Sequence, residues 1–287
     1  MKKEEFRMKK EIKVKYSKIG NMGDLLNELV IEDVLGFKVI HSDIWKSETT
    51  AIGSYLRFFF HENTNLTTKS KIMLKKLYGQ FQPPLQIWST GFITYSDKEL
   101  IPIRKEINVA SVRGELTRKR LEKILNKELN VPTGDGGLLA SHLLKGPIEK
   151  KYSIGIIPHF REKDEKRFLE LKEAYNNSVV IDLTDDPLNV VKTISQCEVI
   201  ISSALHGLIV ADSFGIPNKR LIYTNNLLGD GYKFDDYYSG FNIKVDSFDL
   251  NNPGNPTINE IIDGYKVTET QVEAKKGALY KSFTKYL

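Results

Sequence analysis

Between Glu198 and Pro217 the chain reads Glu-Val-Ile-Ile-Ser-Ser-Ala-Leu-His-Gly-Leu-Ile-Val-Ala-Asp-Ser-Phe-Gly-Ile-Pro. Val199, Ile200 and Ile201 form a β-branched run suited to a strand buried on both faces, and Ser202 and Ser203 interrupt it with hydroxyls able to cap a helix. From Leu205 the apolar residues Leu205, Leu208, Ile209 and Val210 follow helical spacing, and Gly215 with Pro217 ends the helix. A strand of this kind needs parallel neighbours and helices over both sheet faces, which confines the chain to α/β architecture. His206 then lies in the first helical turn, beside Ser202, Ser203 and the backbone N–H groups of Leu205 and Gly207. That is the carboxyl end of a parallel strand, where open α/β sheets bind ligands and the helix dipole favours anions. The same residues also read as plain caps and turn formers.

The rest of the chain repeats the pattern. Residues 12–16 alternate apolar and basic as a first strand, Gly20-Asn21-Met22-Gly23-Asp24 is a tight turn, and a helix from Leu25 to Leu35 precedes a strand at Lys38 to His41. Asp24 at the helix start reads equally as a cap or as a base. Ala51 to Phe60 and Gln86 to Thr94 read as further strands, and Ile107 to Val112 as another that delivers Arg113 to its carboxyl end. A guanidinium there suits a carboxylate or phosphate, or a local acid such as Glu115. Lys145 to Lys151 is a polar joint with Gly and Pro. Beyond it Tyr152 to Pro158 restarts the alternation, with His159 and Arg161 directly after the strand. The expected fold is therefore α/β with two Rossmann-like domains, residues 1–147 and 148–287, and a terminal helix from Glu269 to Phe283.

Composition narrows the class. The 287 residues are 40% hydrophobic with net charge +5, a balance that admits anionic substrates but falls short of a nucleic-acid signature. Cys197, the single cysteine, excludes a disulfide framework and fits a reducing, cytoplasmic setting. No apolar run reaches membrane-spanning length, and the charged start, Met1 to Lys10, has no apolar stretch behind it. Lys69, Lys71, Lys75 and Lys76 flank Ile72, Met73, Leu74 and Leu77 in a short basic amphipathic stretch, which reads as a solvated helix or, alternatively, as a surface for the acceptor or for peripheral contact with the inner membrane surface. No cluster has metal-ligand spacing.

Taken together, Gly20 to Asp24, Trp88 to Phe92, Ala110 to Thr117, Gly134 to Leu139, Ile154 to His159, Ile181-Asp182, Cys197 to Pro217 and Gly229 to Tyr238 resemble, in order and spacing, the polysaccharide pyruvyl transferase family, particularly its bacterial exopolysaccharide ketal-forming branch. The resemblance implies a GT-B-type arrangement of the two domains, phosphoenolpyruvate as donor with no further cofactor, and a glycan or lipid-linked oligosaccharide as acceptor. Two positions depart from the family pattern: Ala204 stands where many relatives carry Arg, and Gly136 where many carry Pro.

A donor with a carboxylate and a phosphate on three carbons needs concentrated positive charge and N–H donors. The residues expected to hold it are Arg113, His159, Arg161, Ser202, Ser203, Leu205 and Gly207. His206 is the expected acid and Asp24 the base, with Asn21 and Gly23 toward the acceptor. Two other functions share the fold: a nucleotide-sugar glycosyltransferase, and a non-catalytic carbohydrate-binding subunit of polysaccharide assembly.

Overall fold

The structure is a computed structural model describing residues 9–18, 20–62, 66–224 and 229–284. Most of the charged start, and residues 225–228, lie outside the described residues.

The first half runs β1 (Glu11–Lys15), α1 (Met22–Leu29), β2 (Lys38–His41), β3 (Thr49–Thr50), β4 (Phe60–Glu62), α2 (Leu66–Gly79), β5 (Leu85–Ile87), β6 (Leu100–Pro102), β7 (Ile107–Val109) and α3 (Glu115–Leu125). The second runs β8 (Tyr152–Ile157), α4 (Lys166–Ala174), β9 (Ser178–Val180), α5 (Pro187–Ser195), β10 (Cys197–Ser202), α6 (Leu205–Ser213), β11 (Asn218–Ile222), α7 (Tyr232–Ser239), β12 (Ser247–Asp249), α8 (Ile258–Gly264) and α9 (Glu269–Thr284).

Each half supplies one five-stranded sheet in which every pairing is parallel. The orders are β2-β1-β3-β5-β7 and β9-β8-β10-β11-β12. Both place the half's first strand second and then continue outward, so each sheet reverses its direction of winding once. The reversals fall between β1 and β3 and between β8 and β10, and a crevice opens at the strands' carboxyl ends at such points.

The central strand of the second sheet matches its sequence. Val199, Ile200 and Ile201 are fully buried, with Ile201 registered between Ile156 and Lys219. Cys197 is core, its thiol pushed up to about 12 by burial.

Of two expected strands, Ala51 to Phe60 is strand only at Phe60, β3 being the two residues before Ala51, and Gln86 to Thr94 is strand only at Gln86 and Ile87. Gly53 adopts φ +126 and turns the chain after Thr50, so Ala51 to Tyr55 is loop, Leu56–Phe58 a single 3₁₀ turn, and Phe60–Glu62 pairs antiparallel with β6 outside the main sheet. Likewise β5 stops at Ile87, and Ser89 turns the chain with φ 58. α1 starts at Met22, three residues before the expected Leu25, with Asn21 accepting from Gly23 N at 3.1 Å.

The halves share one core. A continuous buried cluster joins Val14, Leu26 and Trp88 to Ile200, Leu208 and Phe283. α9 returns to the first half, where Trp88 Nε1 donates to the Leu279 carbonyl at 3.0 Å and the Trp88 and Phe283 rings meet at 5.0 Å.

Candidate active site

The two winding reversals face one another across a cavity of about 280 Å³. From the first half come Asn21 and Asp24 at the start of α1, and Tyr55 and Arg57 after β3; from the second come His159 and Arg161 after β8, and Ala204, Leu205 and His206 after β10. Lys233, in the first turn of α7, completes the lining.

Asp24 is held by the Tyr55 hydroxyl, which donates to Oδ1 and itself accepts from Ser17 N at 3.1 Å. Burial pushes the Asp24 carboxyl up to about 6, against the opposing pull of Tyr55, Lys233 and Lys15. A carboxylate at that value suits a base working near neutrality.

His206 lies against the backbone of α1, where a Cβ on Gly23 would fall 2.0 Å from Nδ1, so no larger residue leaves the ring in place. Its Nε2 lies 4.0 Å from Asp135 Oδ1, and neither Nε2 nor Asp135 Oδ2 has a hydrogen-bond partner among the described residues. Asp135 is fully buried, accepts from Gly137 N at 2.9 Å, and is raised to about 6 by that burial. The His206 ring is lowered to about 3 by burial first, then by Lys233, Arg113 and His159. This depression exceeds what a helix start alone supplies, about 0.3–1 kcal/mol. His159 is lowered to about 3 as well, by burial, Lys233 and Arg161. Lys233 itself is brought down to about 8, by burial and by repulsion from Arg113 and Arg220. Burial and the neighbouring cations thus hold both imidazoles toward their neutral form.

Several expected contacts are placed differently. Arg113 is buried and spent inside the protein: Nε pairs with Asp236 Oδ2 at 2.9 Å, and the other nitrogens donate to Ser54 Oγ at 2.6 Å and the Phe92 carbonyl at 2.5 Å. It acts on the cleft only through its charge. Ser202 Oγ donates to the Ile157 and Ala204 carbonyls and accepts from Ala204 N, while Ser203 Oγ donates to Glu162 at 2.6 Å and accepts from His159 N at 2.8 Å. Both serines are fully buried and brace the loops that carry His159 and His206. Gly207 packs against Ser202 and Ile157, where a Cβ would clash, and Gly23 lies beneath the histidine ring. The cap of α6 is Ala204, whose side chain bonds nothing, which leaves the first-turn N–H groups without a side-chain partner.

The reading by strand ends missed Tyr55, Arg57, Asp135, Glu162 and Lys233. Tyr55 and Arg57 lay in a segment read as strand. Asp135 and Lys233 fall within stretches that carried the family resemblance, Gly134 to Leu139 and Gly229 to Tyr238, and that was their signal.

The sequence profile of polysaccharide pyruvyl transferases matches residues 21–218, from the Asn21 cap of α1 to the start of β11. The chain belongs to the polysaccharide pyruvyl transferase family. Over 245 residues this family member is 29% identical to uncharacterized protein L143 of Acanthamoeba polyphaga mimivirus, covering 84% of this chain and 78% of the relative. Among solved structures it is similar to a functionally uncharacterized protein of Klebsiella pneumoniae, at 16% identity and a TM-score of 0.42 over 79% of this chain and 87% of that one. Ala204 lines the cleft, with Arg57, Arg161 and Lys233 as cations on the same cavity.

Proposed function

We propose that this chain transfers the three-carbon unit of phosphoenolpyruvate to a sugar of a polysaccharide or its lipid-linked precursor, forming a pyruvyl ketal, with the halves in a GT-B-type arrangement. The observation that carries this reading is the pairing of a wall that holds the cations Arg161 and Lys233, the imidazoles of His159 and His206 and the start of α6 with an opposed carboxylate, Asp24, across one small cavity.

In this reading the donor's carboxylate and phosphate take the cationic wall. One negative charge at about 4 Å, with an effective dielectric near 20, is worth about 4 kcal/mol or about three pKa units. A bound anion of more than one charge therefore opposes the burial and cationic neighbours that lower His206 and favours the protonated ring. Bound donor thus charges its own acid, and Asp135 beneath the ring supplies the counter-charge. His206 protonates the methylene carbon, which becomes a methyl group, and the carbon bearing the phosphate becomes cationic. A sugar hydroxyl attacks that carbon and gives its proton to Asp24. Cleavage of the carbon–oxygen bond then releases phosphate, and a second hydroxyl closes the ketal, giving its proton to the His206 imidazole that the first step left neutral.

The test is phosphate release from phosphoenolpyruvate across a panel of lipid-linked and nitrophenyl glycosides. Turnover with at least one glycoside is expected, falling about 10²–10⁴-fold in His206→Asn. Protection from thermal unfolding by a nucleoside diphosphate but not by phosphoenolpyruvate would overturn the donor assignment in favour of glycosyl transfer.

A further inference from the structure

Helix α2 rests on the rest of the molecule by a narrow seam. Of its residues from Lys69 onward only Ile72 and Gly79 are buried, and a Cβ on Gly79 would strike the Ile103 carbonyl. The outward side is apolar. Met73, Leu74, Leu77 and Tyr78, with Phe81 in the turn that follows, are 52% to 81% exposed. These are five of the twelve large hydrophobic side chains exposed among the described residues, so they form a patch and not a scatter.

The arrangement around the helix is ordered. At about 100° per residue, the five apolar side chains cover an arc of about 140° centred opposite Ile72 and Gly79. Lys69 and Lys76 border that arc on one edge, Lys71 and Lys75 on the other. The sequence from Leu66 to Gln82 contains no acidic residue, and no salt bridge among the described residues engages these four lysines. Among the described residues no helix is long and apolar enough to cross a membrane.

We propose that α2 is a docking surface for an anionic lipid bilayer, lying in the plane of the interface with its apolar arc among the acyl chains and its two lysine rows at the headgroups. A second copy of the chain is a poor occupant, because a two-fold contact brings both lysine sets together with no acid on the helix itself. Trp45 provides an internal probe, since its half-buried ring meets that of Tyr78 at 5.0 Å while Trp88 is fully buried.

The experiment uses the full chain with vesicles of phosphatidylcholine, with and without phosphatidylglycerol, at low salt. Co-sedimentation with the anionic vesicles only is expected, together with quenching of Trp45 by brominated acyl chains. The variant Leu74→Ser/Leu77→Ser/Phe81→Ser, which alters exposed positions only, keeps the wild-type Tm and loses at least about tenfold in vesicle affinity together with the quenching. Replacing the four lysines by Gln costs on the order of 10²–10³-fold. Failure to bind anionic vesicles, or equal binding by the triple-serine variant, would overturn the proposal. So would a wild-type dimer that the triple-serine variant converts to monomer, since a second copy would then cover the helix.

Discussion

Lys233 sets the electrostatics of the cleft at the scale of single residues. It contributes to the lowered pKa of both His206 and His159, and its own ammonium is brought down to about 8. An anion bound beside it favours the charged form and raises that value, so binding takes up protons where the free ammonium has begun to lose them. Loss of the Lys233 proton should therefore steepen the fall of phosphoenolpyruvate affinity as pH rises above 8, in a range where the donor's phosphate is already fully ionised, on top of the weakening with pH that protonation of His206 on binding brings. Calorimetry in buffers of different ionisation enthalpy should show proton uptake near pH 8. Lys233→Met should reduce that uptake by the Lys233 share, leaving the share of His206, and weaken binding about 10–100-fold, the range for one charge-assisted contact. Proton uptake near pH 8 that is unchanged in the variant would place the titrating group elsewhere. Lys233 was hard to read from sequence because it follows a Gly-Asp-Gly turn and no strand, whereas His206, Asp24 and Asn21 sit where a strand hands over to a helix. Arg113 shows the opposite error. Its position at a strand end is that of a ligand-binding residue, but the carboxylate it pairs with, Asp236, lies 123 residues further on.

Among elements, the pair α3 and α7 carries the tie between the halves that sequence could not show. α3 begins at Gly114 without a side-chain cap of its own. Asp236 of α7 supplies it, accepting from Thr117 N and Thr117 Oγ1, each at 2.7 Å, while pairing with Arg113; Ser239 Oγ accepts from Glu115 N at 2.9 Å. Asp236→Ala removes the cap and strands a buried guanidinium, which should cost about 3–5 kcal/mol of unfolding free energy in denaturant titration. Loss below about 1 kcal/mol would mean that the pair contributes little to holding α7, and with it Lys233, against the first half. The long elements were legible: β10, α6 and α9 fall close to the bounds expected of them. The strands of the first half were overextended because an apolar run does not announce where a residue such as Gly53 or Ser89 turns the backbone.

Across the whole molecule, the alternation of strands and helices foretold two parallel sheets, and the structure adds that both follow one strand order. It also adds a core that runs through both, which a chain joint at Lys145 to Lys151 cannot disclose. The shared order matters for function, because it points two crevices at one cavity and sets Asp24 and Tyr55 of one half against His206 and Lys233 of the other. The central claim is that this assembled cleft protonates the donor's methylene carbon and closes a ketal. The most direct measurement is the mass and proton spectrum of the product formed from phosphoenolpyruvate and an accepted glycoside in heavy water. One deuterium in the methyl group of each pyruvyl ketal is predicted, with His206→Asn losing the product at an unchanged fold. A product that retains a vinyl ether would contradict ketal formation, and full deuterium incorporation at wild-type rate by His206→Asn would contradict the assignment of His206 as the acid.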